Sequence, residues 1–196
     1  MNGVIHDFYE RLDHSQKLSD EPSWVEFYRR IWPDMISCVR LDADSKLQRA
    51  GIDRAIFLPN RQIPIYVDEK KRDKDWGDLL VEEWSNLERH KVGWALDKTK
   101  VCDFVAYAVP GRCHLLPFEL LRVACETHLD EWKCKPRAYP KDARNNGYTT
   151  RNCSVQWDDV WRAIRRVSMR KWGAELQLPR VSNVDGQLVF EWGAPQ

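Results

Sequence analysis

The strongest constraint on this chain is a pair of short apolar runs separated by a single turn. Residues 50–58, with Ile52, Ala55, Ile56, Phe57 and Leu58, and residues 63–67, with Ile63, Ile65 and Val67, are β-prone, and only Pro59-Asn60-Arg61-Gln62 lies between them. Two such runs and a turn predict a β-hairpin. Pro64 suits a strand end or edge, because proline donates no ladder hydrogen bond. The open end of this hairpin carries charge on both strands. Asp53 lies early in the first, and Asp68-Glu69-Lys70-Lys71 extends the second. Folding one strand back on the other brings these groups together.

That grouping has a chemical use. Water cleaves a phosphodiester only when the nucleophile is activated and the charge growing on phosphorus is neutralised. Carboxylates holding Mg²⁺ or Mn²⁺, with a lysine beside them, can serve both ends. An acid and a lysine two residues apart on a strand share one face, since side chains alternate. Two registers meet this requirement. Asp68 with Lys70 is one, and Val67 gives it an apolar lead-in. Glu69 with Lys71 is the other, and it continues the face of Ile63, Ile65 and Val67. The first is favoured and both stay open. A charge cluster at a strand end is often only a solvated surface, so the weight rests on its pairing with Asp53.

The rest of the chain predicts alternating elements. Trp24, Phe27, Tyr28 and Ile31 recur at helical spacing within 23–41, with Ser23 as a cap. Pro33 ends or kinks that helix, and Met35, Ile36 and Val39 suggest a second short one. Leu79, Leu80 and Trp84 predict a helix over 76–86. A short strand is expected at 92–96 and a buried one at 102–109, closed by Pro110-Gly111. Leu116, Leu120, Val123 and Leu129 predict a helix over 115–132. The basic stretch 133–146 reads as a loop, 149–155 as a strand and 158–169 as a helix. Residues 174–178 and 188–192 suggest a hairpin around Asp185-Gly186. The expectation is an α/β fold with a mixed sheet flanked by helices. It has an N-terminal arm (1–22), a main domain (23–170) and a C-terminal β appendage (171–196).

Gly51-Ile52-Asp53-Arg54, the hairpin and Ile65-Tyr66-Val67-Asp68-Glu69-Lys70-Lys71-Arg72 resemble the core motif of PD-(D/E)xK nucleases. The resemblance covers about residues 23–110 well and the remainder loosely. Ile52 stands where the motif's proline would be. The resemblance implies a restriction-endonuclease-like mixed sheet and a metal-dependent deoxyribonuclease. Asp53 and Asp68 or Glu69 would hold Mg²⁺ (or Mn²⁺), and Lys70 or Lys71 would act beside the attacking water. DNA is the implied partner, in repair, recombination or phage DNA processing. A small phage or prophage nuclease is the kind of enzyme suggested, and a homodimer is expected where both strands are cut. The rival reading is a nuclease-fold DNA-binding or protein-interaction module without the chemistry.

Other signals are weaker. Glu82, Glu83 and Glu26 are expected on exposed helix faces with an outer-carboxylate role as the alternative, and Gln48 is a candidate positioning residue. Basic residues gather at Lys70-Lys71-Arg72-Lys74, Lys133-Lys135-Arg137, Lys141-Arg144 and Arg162-Arg165-Arg166-Arg170-Lys171. The last set lies on one helix face and would suit phosphates, as would solvent. Tyr139 and Tyr148 could stack on bases. Ten tryptophans read mainly as core anchors. Net charge of only +1 excludes a strong global field. Cys113, His114, Cys125, His128 and Cys134 lack the paired spacing of a zinc site, and no CxxC pair, nucleophile elbow or glycine-rich phosphate loop occurs. Six dispersed cysteines, with no signal-peptide pattern or bilayer-spanning run, predict reduced thiols in a cytoplasmic protein without a membrane partner.

Overall fold

The computed structural model describes residues 22–41, 43–136, 140–173, 180–184 and 187–191. Helix α1 (Pro22–Ile31) opens on a proline and buries Trp24, Phe27, Tyr28 and Ile31 on one stripe. It stops before Pro33, because a proline disfavours helical backbone in the residue ahead of it. The side chain of the expected cap, Ser23, lies outside the described residues.

The chain then enters strand β1 (Ser37–Arg40), where a second short helix was expected. Its residues pair antiparallel with β2 (Arg54–Phe57), Cys38 opposite Ile56, and this non-local ladder outweighs local helical spacing. Between them the one-turn helix α2 (Ser45–Arg49) is capped by Asp44, whose carboxylate accepts from the N–H groups of Lys46 and Leu47 at 2.7 and 3.2 Å. Gly51 follows in the left-handed region (φ 75°), which turns the chain into Asp53.

Strand β3 (Ile65–Lys71) closes the predicted hairpin, with Arg54 opposite Val67 and Ile56 opposite Ile65. It continues through the charged run because β6 (Phe104–Val109) pairs with it in parallel, from Val67 and Phe104 to Lys71 and Ala108. Strand β7 (Arg112–Pro117) returns antiparallel to β6, taking residues expected to begin a helix. The five-stranded order is β1-β2-β3-β6-β7.

The crossover from β3 to β6 carries two strands of a second sheet. Residues expected as a helix form strand β4 (Asp78–Asn86), joined by the short β5 (Lys91–Val92). Leu79 and Val81 alternate into the core, and β4 pairs antiparallel with β9 (Tyr148–Gln156), Leu79 opposite Val155. That pairing overrides the helix preference of Leu79, Leu80, Glu82 and Glu83. Strand β8 (Pro140–Asn145) replaces the expected loop at the sheet's edge, with its proline as first residue. This sheet has the order β5-β4-β9-β8. Tyr139 lies outside the described residues.

Helices α3 (Phe118–Lys133) and α4 (Trp157–Trp172) pack on each other and against β9. Two cores result. One joins α1 to Ile56, Ile65, Val67 and Ala106, and the other joins Val105, Tyr107 and Leu116 to Leu79, Val81, α3 and α4. The five-stranded sheet is therefore buried on both faces, and β3 must be read side chain by side chain. Trp24, Trp132 and Trp157 are core anchors, while Trp76 and Trp172 stand largely exposed. Strands β10 (Arg180–Val184) and β11 (Gln187–Glu191) pair antiparallel, the second overlapping the strand expected at 188–192, while the strand expected at 174–178, the turn at 185–186 and the arm 1–21 lie outside the described residues. All six cysteines are free thiols, and among the described residues no helix is long and apolar enough to cross a membrane. The protein is thus of mixed α/β class.

Strand β4 makes a measurable claim. Leu79→Ala should cost about 2–5 kcal/mol in urea unfolding, and Leu80→Ala, on the half-exposed side, much less. Equal losses at the two positions would contradict the alternation.

Candidate active site

Asp53 is held by backbone on both sides before it offers a side chain. Its N–H donates to the carbonyl of Val67 at 2.9 Å, and its carbonyl accepts from Leu41 at 2.7 Å. The carboxylate then accepts the Glu69 N–H through Oδ2 at 2.7 Å and hydrogen-bonds the carboxyl group of Asp68. Asp68 is 1 % exposed. Its Oδ1 accepts from the Lys70 ammonium and its Oδ2 from the Lys100 ammonium, at 3.3 Å. Lys70 Nζ also lies 5.9 Å from the Trp94 ring centroid, within cation–π range.

Alternation sends Glu69 the other way. It accepts from Tyr28 Oη at 2.8 Å and from Arg54 Nε, under α1. Arg54 and Glu69 keep only 6 % and 3 % of their side-chain surface, so this is an ion pair inside the first core. Of the sequence candidates, Asp53, Asp68 and Lys70 therefore come together, and Glu69 does not join them. Lys71 shares Glu69's side of the strand by register. Asp68 and Lys70 are thus the alternate pair of β3 that shares a face with Asp53.

Two more charged groups complete the cluster. Glu82, expected on an exposed helix, is a half-buried residue of β4 whose Oε1 accepts the Trp94 N–H at 3.3 Å. Burial raises its pKa while the nearby Lys70 and Lys100 pull it down. Lys100, from the loop before β6, has no counterpart in the motif spacing. The mark of its role is structural: its stem crosses the bare face of Gly51. The remaining candidates lie elsewhere. Glu83 accepts from Lys133 at 2.8 Å, Glu26 pairs with Arg30, and Gln48 is exposed on α2.

Electrostatics separate the two aspartates. Burial, and then the charge of Asp68, push the Asp53 carboxyl up to about 7 against the pull of Lys70. Asp68 goes the other way: despite burial, Lys70 and Lys100 hold it below the usual aspartate range. Lys70 is in turn raised by Asp68 and Asp53, although burial opposes this. Burial and Asp68 push the neighbouring Cys102 thiol up to about 12, which favours its protonated form.

Two carboxylates in contact, one of them favouring its proton, form a donor set that a hard divalent cation would relieve. Mg²⁺ and Mn²⁺ suit it, because they need only one or two protein carboxylates and keep waters on the other positions. Each carboxylate has further lone pairs beyond those the lysines use. Among the described residues no three His, Cys, Asp or Glu side chains are grouped to hold a metal, so the fit rests on this pair. No zinc site forms. Cys113 and Cys125 are buried thiols, His114 stacks on Trp157 with ring centroids 3.6 Å apart, and His128 pairs with Glu131. On α4, Arg162, Arg165, Arg166 and Arg170 line an open groove of about 400 Å³ with Met169. Comparison with protein-family models, with curated proteins and with solved structures found no match to this chain.

Two stability measurements follow. Glu69→Ala leaves Arg54 buried without its carboxylate and should cost about 3–5 kcal/mol. Asp53 has a folded pKa above its unfolded one, so its contribution is full below the unfolded value and lost as pH rises through about 7. With chelator present, wild-type stability should therefore fall relative to Asp53→Asn across that window. Parallel stability curves for the two proteins would contradict the raised carboxyl.

Proposed function

We propose that this chain is a divalent-metal-dependent DNA nuclease with a restriction-endonuclease-like core. The observation that supports this best is the convergence of Asp53 with Asp68 and Lys70 on one face of the β2–β3 hairpin. The antiparallel β1–β2–β3 unit, the parallel β6 and the cover of α1 agree with such a core. A crossover from β3 to β6 that holds the strands β4 and β5, in place of a helix, is a departure from it.

In this reading Asp53 and Asp68 hold Mg²⁺ or Mn²⁺. The bound metal supplies Lewis acidity and lowers the pKa of its water. Lys70 sits beside the pair and is the more exposed of the two lysines, 29 % against 11 % for Lys100. Its ammonium can orient the attacking water and offset charge on the phosphate. Asp68 anchors Lys70, and Trp94 shields it on one side. The α4 arginines, with Lys141 and Arg144 of β8, offer phosphate contacts along a DNA backbone.

The second reading is a DNA-binding module that keeps the fold without cleavage. It is favoured by the engagement of both Asp68 oxygens by ammonium groups, as in a purely structural ion-pair network.

Incubation with plasmid, linear, single-stranded and branched DNA, with and without Mg²⁺, separates them. The nuclease reading expects metal-dependent cleavage, reduced about 100-fold or more in Asp53→Ala and Lys70→Ala proteins that remain folded. Retention of DNA without any cleavage favours the binding module. Undiminished cleavage by Asp53→Ala sinks the site assignment.

A further inference from the structure

Lys70 cannot both clamp Asp68 and swing toward water or phosphate. If it leaves, an aspartate that is 1 % exposed and hydrogen-bonded to a second carboxyl group needs another partner, or it loses its orientation. The fold supplies that partner from a distant loop. Val101 N–H donates to the Ala50 carbonyl at 2.9 Å, tying the loop before β6 to the turn after α2. Gly51 lacks a side chain there, and a Cβ would stand 3.0 Å from Lys100 Nζ and 3.2 Å from its Cδ. The lysine stem runs through that gap, and its ammonium meets Asp68 Oδ2 on the oxygen that Lys70 does not use.

We propose that Lys100 is a positioning residue of the nuclease site. It fixes the Asp68 carboxylate toward Asp53, so that Lys70 is released for the reaction. This rests on the nuclease reading. The two lysines then divide the work by depth. Lys100, the more buried, anchors, and Lys70, the more exposed, attends the substrate. Glu82 stands near both ammonium groups and helps balance the extra buried cation.

The test uses the full chain with Lys100→Met, which keeps the stem over Gly51, and Lys100→Arg, which keeps a charge. Lys98→Met serves as control, since Lys98 is 79 % exposed and pairs with Glu126 away from the cluster. For Lys100→Met, kcat should fall roughly 10- to 100-fold with KM for DNA little changed, in protein that remains folded at the assay temperature. Lys100→Arg should recover part of the loss, and Lys98→Met should match wild type. In a Lys70→Ala background, where Asp68 has lost its other ammonium partner, the metal-free crystal structure should keep the Asp68 carboxylate toward Asp53, and adding Lys100→Met should turn it away. Unchanged kcat overturns the proposal, as does a fall in kcat with Asp68 unmoved. Absence of cleavage by the wild-type protein itself overturns the nuclease reading, and the role of Lys100 falls with it.

Discussion

Strand β3 is hydrogen-bonded along both edges, antiparallel to β2 and parallel to β6. Its register is therefore fixed. A slip of one residue would turn Ile65 and Val67 out of the α1 core and drive Tyr66 and Asp68 into it. Everything at the site follows from that lock. It sends Asp68 and Lys70 to the face shared with Asp53 and Glu82, and Glu69 to the face shared with Tyr28 and Arg54. Two neighbouring acids, identical in charge, thus acquire different chemistry through the period of a strand.

The contrast lies in their partners. Glu69 meets a guanidinium and a phenol, both on its Oε1, inside a sealed core, where removing one partner strands a buried charge. Asp68 meets two ammonium groups and a second carboxyl group that prefers its proton. The first arrangement favours a single state. The second holds charge that a dication and a phosphate can reorganise, which is the pattern expected of a reactive site.

The parts of this arrangement legible in the sequence were local. The hairpin followed from two β-prone runs and one turn, and Asp53 with the charged run followed from its open end. The register was not decided there, because both faces of β3 are covered. The apolar series Ile65, Val67 continues into Glu69 as readily as the motif pattern continues into Lys70. Strand β4 was hidden for a different reason. Leu79, Leu80, Glu82 and Glu83 favour a helix locally, and only pairing with β9, far along the chain, extends them. Lys100 gave no signal, since spacing does not reveal which loop lysine will cross a glycine in space. Closure of distant segments is where sequence patterning is least informative.

The most direct measurement is diffraction from crystals soaked in Mn²⁺, recorded near the manganese absorption edge. The predicted result is an anomalous peak coordinated by one oxygen from Asp53 and one from Asp68, with Glu69 still bonded to Tyr28 and Arg54. A peak bound by Glu69 instead, or none at the Asp53–Asp68 pair, would contradict a metal site in this register.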